Sequence, residues 1–199
     1  MQQQKGFTLV EIAIVMVIIG LLLGGVLKGQ EVITNARLKR VVNDFNGVSA
    51  AIFTYQDRYR GLPGDHRSAS TIFTNTPPPN GNGDGRIGGN FDSTNDNDES
   101  RTVWRHLREA GLVAGGEDTF DQPTHAYGGV MGIEEGRLGL RGHVICFDSI
   151  GGDNARLLDI QNDDGAPNTG SVRSGLNNSA SVTAAPYVDN EIYNTCFRM

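Results

Sequence analysis

KGFTLVEIAIVMVIIGLLLGGVL occupies residues 5–27, and its reading decides the fold. From Phe7 to Leu27 the stretch is uncharged and mostly apolar, with one exception, Glu11. A helix over it spans roughly 32 Å at about 1.5 Å per residue, the thickness of a bilayer's hydrocarbon core. A secretory signal peptide fits less well. Its apolar part is about 7–15 residues long and ends in a small-residue cleavage site, whereas here Leu27-Lys28-Gly29-Gln30 follows. A plain single-pass anchor leaves Glu11 unexplained, since an ionised side chain costs about 3 kcal/mol at the centre of a membrane helix and less near its end.

The helical pattern continues past the apolar run. Lys28 to Tyr59 contains no proline. Leu38, Val41, Phe45, Val48, Ile52, Tyr55 and Tyr59 recur at alternating steps of three and four, a seam along one helix face. The opposite face carries Arg37, Lys39, Arg40, Asn43, Asp57, Arg58 and Arg60. The pattern predicts one helix from about residue 7 to residue 59, apolar all round in its first half and one-sided in its second. Gly20, Gly24, Gly25 and Gly29 interrupt it, each about 1 kcal/mol poorer than Ala in a helix. They suit close helix packing in lipid or a stretch that unwinds on assembly. Gly61 and Pro63 then stop the helix.

Lys5-Gly6-Phe7-Thr8-Leu9-Val10-Glu11 resembles the processing site of type IV prepilins and of the pseudopilins of type II secretion systems. The resemblance implies cleavage by a prepilin peptidase between Gly6 and Phe7, and N-methylation of Phe7 by the same enzyme. It implies that Glu11 neutralises the N-terminal amine of a neighbouring subunit during assembly. Further implied partners are other pilin or pseudopilin subunits, an inner-membrane assembly platform and membrane lipid. The corresponding division is a leader at 1–6, a transmembrane and assembly half-helix at 7–27, an amphipathic half-helix at 28–60 and an extracytoplasmic globular domain at 61–199. The expected location is the bacterial inner membrane, single-pass, and then a pilus or pseudopilus. The chain departs from many major pilins in having no proline near Lys28.

The remainder is polar and rich in Gly, Asn and Asp. The resemblance and the pattern together predict an α+β, pilin-like fold: the long helix packed on a small, mostly antiparallel sheet. Glu99–Gly111 reads as a short amphipathic helix with Trp104 in the core. Tyr127–Ile133, Leu138–Asp148 and Gly170–Arg173 read as strands, and Ala155–Ile160 as a helical turn. Asp159, Asp163 and Asp164 before Gly165 read as a polar turn. The two cysteines, Cys146 and Cys196, fit no zinc motif. Outside the cytoplasm they are expected to form one disulfide, with two buried free thiols as the alternative.

Asn80-Gly81-Asn82-Gly83-Asp84-Gly85 matches the opening of a calcium loop, with Asn80, Asn82 and Asp84 as candidate ligands, but Phe91 stands where that loop needs a bidentate acid. The competing reading is a turn in which Asn and Gly take left-handed conformations. No other cofactor is expected. His66, His106, His125 and His143 sit in no metal or hydrolase motif, so the sequence points to no enzyme. The net charge of −6 does not suggest a nucleic-acid partner. Arg37, Lys39 and Arg40 form a local basic cluster, read as a solvated or headgroup-facing surface. The sequence therefore predicts a structural filament subunit. The alternatives are an uncleaved membrane-anchored binding protein and an adhesin or DNA-uptake minor pilin.

Overall fold

Without a proline between Lys28 and Tyr59, nothing breaks the main-chain ladder, and the N-terminal segment folds as one helix, α1 (Leu9–Tyr59). The computed structural model describes residues 6, 8–177 and 186–199. The elements that follow are α2 (Ala69–Ile72), α3 (Glu99–Glu109), β1 (Met131–Glu135), β2 (His143–Gly151), α4 (Gly152–Asn162), β3 (Val172–Leu176) and β4 (Ile192–Arg198). The chain divides into two compact units, Met1–Arg37 and Leu38–Met199.

The first unit is the early part of α1. It is long and apolar enough to cross a membrane. Its large side chains, Leu9, Met16, Leu21 and Leu27 among them, are exposed. The helix runs unbroken through Gly20, Gly24, Gly25 and Gly29.

The second unit holds the core. Leu38, Val41, Val48, Ile52 and Tyr55 of the predicted seam are buried, with Ala51 beside them, while Phe45 and Tyr59 are half-buried. They meet one face of a four-stranded antiparallel sheet of order β1-β2-β4-β3. The Phe45 ring lies 5.1 Å from that of Phe197 on β4, and Phe197 lies 5.7 Å from Phe147 on β2. Trp104, Val103 and Leu107 of α3 complete this core. The helix ends as α3 should, with Gly111 at φ 68° and the Leu112 N–H returning to the Leu107 carbonyl.

The strand boundaries differ from the sequence reading. The segment predicted as Tyr127–Ile133 is mostly turn, and β1 begins only at Met131. The strand predicted from Leu138 begins at His143, because Gly136, Leu138, Gly139 and Gly142 all have positive φ and build a turn. Leu138 and Leu140 are buried nonetheless, packed with Phe91 in a second cluster on the other face. The helical turn at Ala155–Ile160 is a full helix, α4, and the strand near Gly170–Arg173 is shifted to Val172–Leu176. The α1 stop differs too: the left-handed residue is Arg60 (φ 55°), while Gly61 is needed because a Cβ there would lie 2.6 Å from the His66 ring.

β4 was not anticipated. It lies between β2 and β3 and is buried on both faces, so its polar and apolar residues do not alternate cleanly. It also carries Cys196 directly opposite Cys146 of β2, and the two are bonded. The bond closes a separation of 50 residues, which the chain-entropy model values at about 4 kcal/mol. Replacing both cysteines with serine in the full chain is expected to lower stability by about that amount. Denaturant titration followed by Trp104 fluorescence measures it, and an unchanged midpoint would contradict it.

Candidate functional site

The N-terminus of α1 shows how Glu11 is accommodated. The Glu11 Oε2 accepts hydrogen bonds from the Thr8 N–H (2.7 Å) and the Thr8 hydroxyl (2.8 Å). The Glu11 N–H donates back to Thr8 Oγ1 at 3.2 Å. This is a reciprocal capping box, T-x-x-E, which satisfies main-chain donors that the first turn leaves open. The carboxylate also sits at the end of the helix where the macrodipole favours negative charge. The sequence carried the signal, a Thr three residues before a Glu at the head of an apolar run, but it was read only for the charge. Gly6 is exposed, while Phe7 lies outside the described residues.

The glycine-rich loop is organised around a carboxylate from elsewhere. Asp65, nearly buried, accepts the N–H groups of Gly83, Asp84 (3.2 Å) and Gly85 (2.7 Å). Gly83 and Gly85 have φ of 73° and 84°, which turns these three N–H groups to one side. Asn80 and Asn82 do not take up left-handed backbone. The three candidate calcium ligands have separate partners. Asn80 Oδ1 accepts from the Ser70 N–H (2.9 Å), Asn82 Oδ1 from the Asp84 N–H (2.8 Å) and Asp84 Oδ1 from the Arg86 N–H (2.9 Å). Glu99 at the start of α3 accepts from Asn82 and Gly88, both at 2.9 Å. Oxygens of Asp65, Asp84 and Glu99 lie within 4.8 Å of one another, so these are the carboxylates of the loop that could hold a cation. The N–H groups of Gly83, Asp84 and Gly85 are met by Asp65 itself.

His106 fastens this region to α3. Its Nδ1 accepts the Gly64 N–H at 2.9 Å, which leaves Nε2–H to donate to the Pro79 carbonyl at 2.8 Å. The ring is neutral in this arrangement, and burial pushes its pKa down to about 4. The other histidines are also engaged. His66 bonds the Tyr55 hydroxyl at 3.0 Å, His125 the Asp148 carbonyl at 2.9 Å, and His143 lies 2.8 Å from a Glu135 oxygen. A second buried polar group joins α4 to the sheet. Tyr187 donates to Asp159 at 2.7 Å, and its oxygen lies 3.0 Å from that of Ser174, which is itself 3.0 Å from Thr195 Oγ1. Burial raises the Asp159 pKa. The predicted polar turn after it closes as Gly165 (φ 79°) donates to Asp159 Oδ1.

The N-terminal segment belongs to a recognised class. The family model described as the prokaryotic N-terminal methylation motif matches residues 1–27. Together with the long apolar helix and the small antiparallel sheet, this match supports the type IV pilin and pseudopilin family for the chain. The apolar helix and the motif suit a single-pass inner-membrane anchor. No curated protein and no solved structure matches the chain.

Two outcomes follow from the loop. Unfolded histidine titrates near 6.5, so the contribution of neutral His106 is complete above that pH and is lost as pH falls toward about 4. The loss is expected to reach roughly 3 kcal/mol and to be absent in His106→Gln, as read from denaturation midpoints between neutral and mildly acidic pH. Asp65→Ala is expected to cost about 2–3 kcal/mol by orphaning its N–H donors, whereas a chelator is expected to leave the wild-type melting temperature unchanged.

Proposed function

We propose that this chain is made as a prepilin, cleaved between Gly6 and Phe7 by a prepilin peptidase and methylated on Phe7, then polymerised through α1 into a pilus or pseudopilus. The observation that carries the proposal is Glu11 in its capping box, five residues beyond Gly6 and inside the matched motif. Before assembly Thr8 satisfies the carboxylate locally. Cleavage creates a positive amine on Phe7, and methylation leaves that charge in place. A neighbour's amine then pairs with Glu11 in a low-dielectric setting, where an unpaired charge is strongly disfavoured. The pair therefore rewards one axial offset between helices and penalises the others.

The remaining assembly energy comes from the apolar side chains of α1 that are exposed in the single chain. Lipid holds them before assembly and neighbouring helices afterwards, so close packing rather than dehydration supports the transfer. The unit from Leu38 onward lies on the extracytoplasmic side and forms the filament surface. The role is mechanical rather than catalytic, with an inner-membrane platform and a separate assembly ATPase supplying the work.

Mass spectrometry of the mature chain from cells with an active prepilin peptidase is expected to find N-methylated Phe7 first. Retention of residues 1–6 would instead identify an uncleaved anchor. Glu11→Ala is expected to be processed normally yet to yield little filament in sheared fractions, and wild-type yield would remove the pairing role.

A further inference from the structure

The second unit has a groove at one end of β4 and an acidic projection at the other. The groove consists of two adjoining cavities, of about 260 and 220 Å³, that share Val42 and Asn162. Half-buried Val42 and Phe45 line it from α1, and Val172 and Phe197 from the sheet. Exposed Lys39 and Arg198 border it. The neighbouring carboxylate of Asp163 is engaged by the N–H groups of Ser171 and Val172.

The projection is Val188-Asp189-Asn190-Glu191-Ile192, all exposed, with Val188 51% and Ile192 50% accessible. It closes through the Glu191 N–H to the Val188 carbonyl (3.2 Å) and is held to the start of α4 by the Gly152 N–H on the Glu191 carbonyl (2.9 Å). Asp153 adds a further carboxylate. Arg156 reaches both Asp153 (3.3 Å) and Asp189 (3.4 Å), and among the described residues Glu191 has no ion pair.

From these features we infer that the projection of one copy seats in the groove of the next, a head-to-tail contact between globular units. This rests on the proposed filament role and names the surface that joins its outer parts. The complementarity is twofold. Two exposed aliphatic side chains face an apolar floor, and Asp189 and Glu191 face Lys39 and Arg198. Such charges at a rim fix register and exclude wrong pairings. The geometry also suits repetition. Ile192 starts β4 and Arg198 ends it, about 20 Å apart at strand spacing. Helix α4 likewise starts at the projection and ends at Asn162 in the groove. Two different surfaces at opposite ends make a heterologous contact, which propagates into an open array unless its rotation closes a ring.

The test uses the full chain in cells that carry a pilus or pseudopilus assembly system, with the native disulfide kept. Asn43, exposed in the groove, and Asn190, at the tip of the projection, are changed to cysteine singly and together. Sheared polymer is then oxidised. Asn43→Cys with Asn190→Cys is expected to give a ladder of dimers and higher multimers, and each single variant to give none. Lys39→Glu is expected to reduce the ladder severalfold, and Glu191→Lys in the same chain to restore it. Polymer without a ladder, or a ladder that stops at dimers, overturns this contact alone. Absence of polymer from the wild-type chain overturns the filament role and the contact with it.

Discussion

One backbone has to suit two surroundings. The first part of α1 is apolar enough to cross a membrane, and a segment suited to lipid must satisfy its main-chain N–H and C=O groups within itself. A proline-free helix does so, and its continuation into the polar half of the chain follows from the same ladder. The remaining structure is conditioned by that continuity. Within the second unit, the sheet is built against one face of the helix from Leu38 onward. The apolar seam supplies much of the helical side of that unit's core, together with Val103, Trp104 and Leu107 of α3 and Ala155 and Leu158 of α4.

The two ends of the helix solve opposite problems. At the start, the first-turn donors have no preceding turn, and Thr8 and Glu11 satisfy donors there reciprocally. At the end, Tyr59 must give way to a loop that turns sharply beneath α3. Arg60 adopts a left-handed conformation that costs about 1–2 kcal/mol for a residue with a side chain. Tyr55 anchors the place, its ring 6.1 Å from His106 and 5.8 Å from His66. The loop that follows is tied from both sides, by His106 at Gly64 and Pro79 and by Asp65 at the glycine-rich turn.

How much of this was legible depends on periodicity. α1 and α3 could be read because their apolar spacing repeats over several turns, and both end within a few residues of the expected place. The sheet was legible as a class and poorly legible in detail. Leu138 and Leu140 look like strand residues because they are apolar and buried, yet they belong to a glycine-built turn whose side chains fill the second cluster. β4 escaped because burial on both faces removes the alternation that marks a strand. At the N-terminus the carboxylate was recognised as unusual, but its local partner was missed. The glycine-rich loop is the clearest case of tertiary override. Its own Asn80, Asn82 and Asp84 suggested a self-contained calcium loop or a plain turn, whereas its backbone donors converge on Asp65, which comes before the loop in chain order and could not be paired with it by spacing.

The position of β4 has a consequence for biogenesis. β4 follows every other element in chain order, yet it lies inside the sheet, and β2 and β3 share no edge until it arrives between them. The same strand brings Cys196 to Cys146. The sheet therefore cannot close while residues 192–198 are still in the ribosome. Until then β2 and β3 each lack a partner on the side that β4 fills. Delivery of the last strand is thus the event that commits the sheet to close, and the chain stays pliable until its end is free.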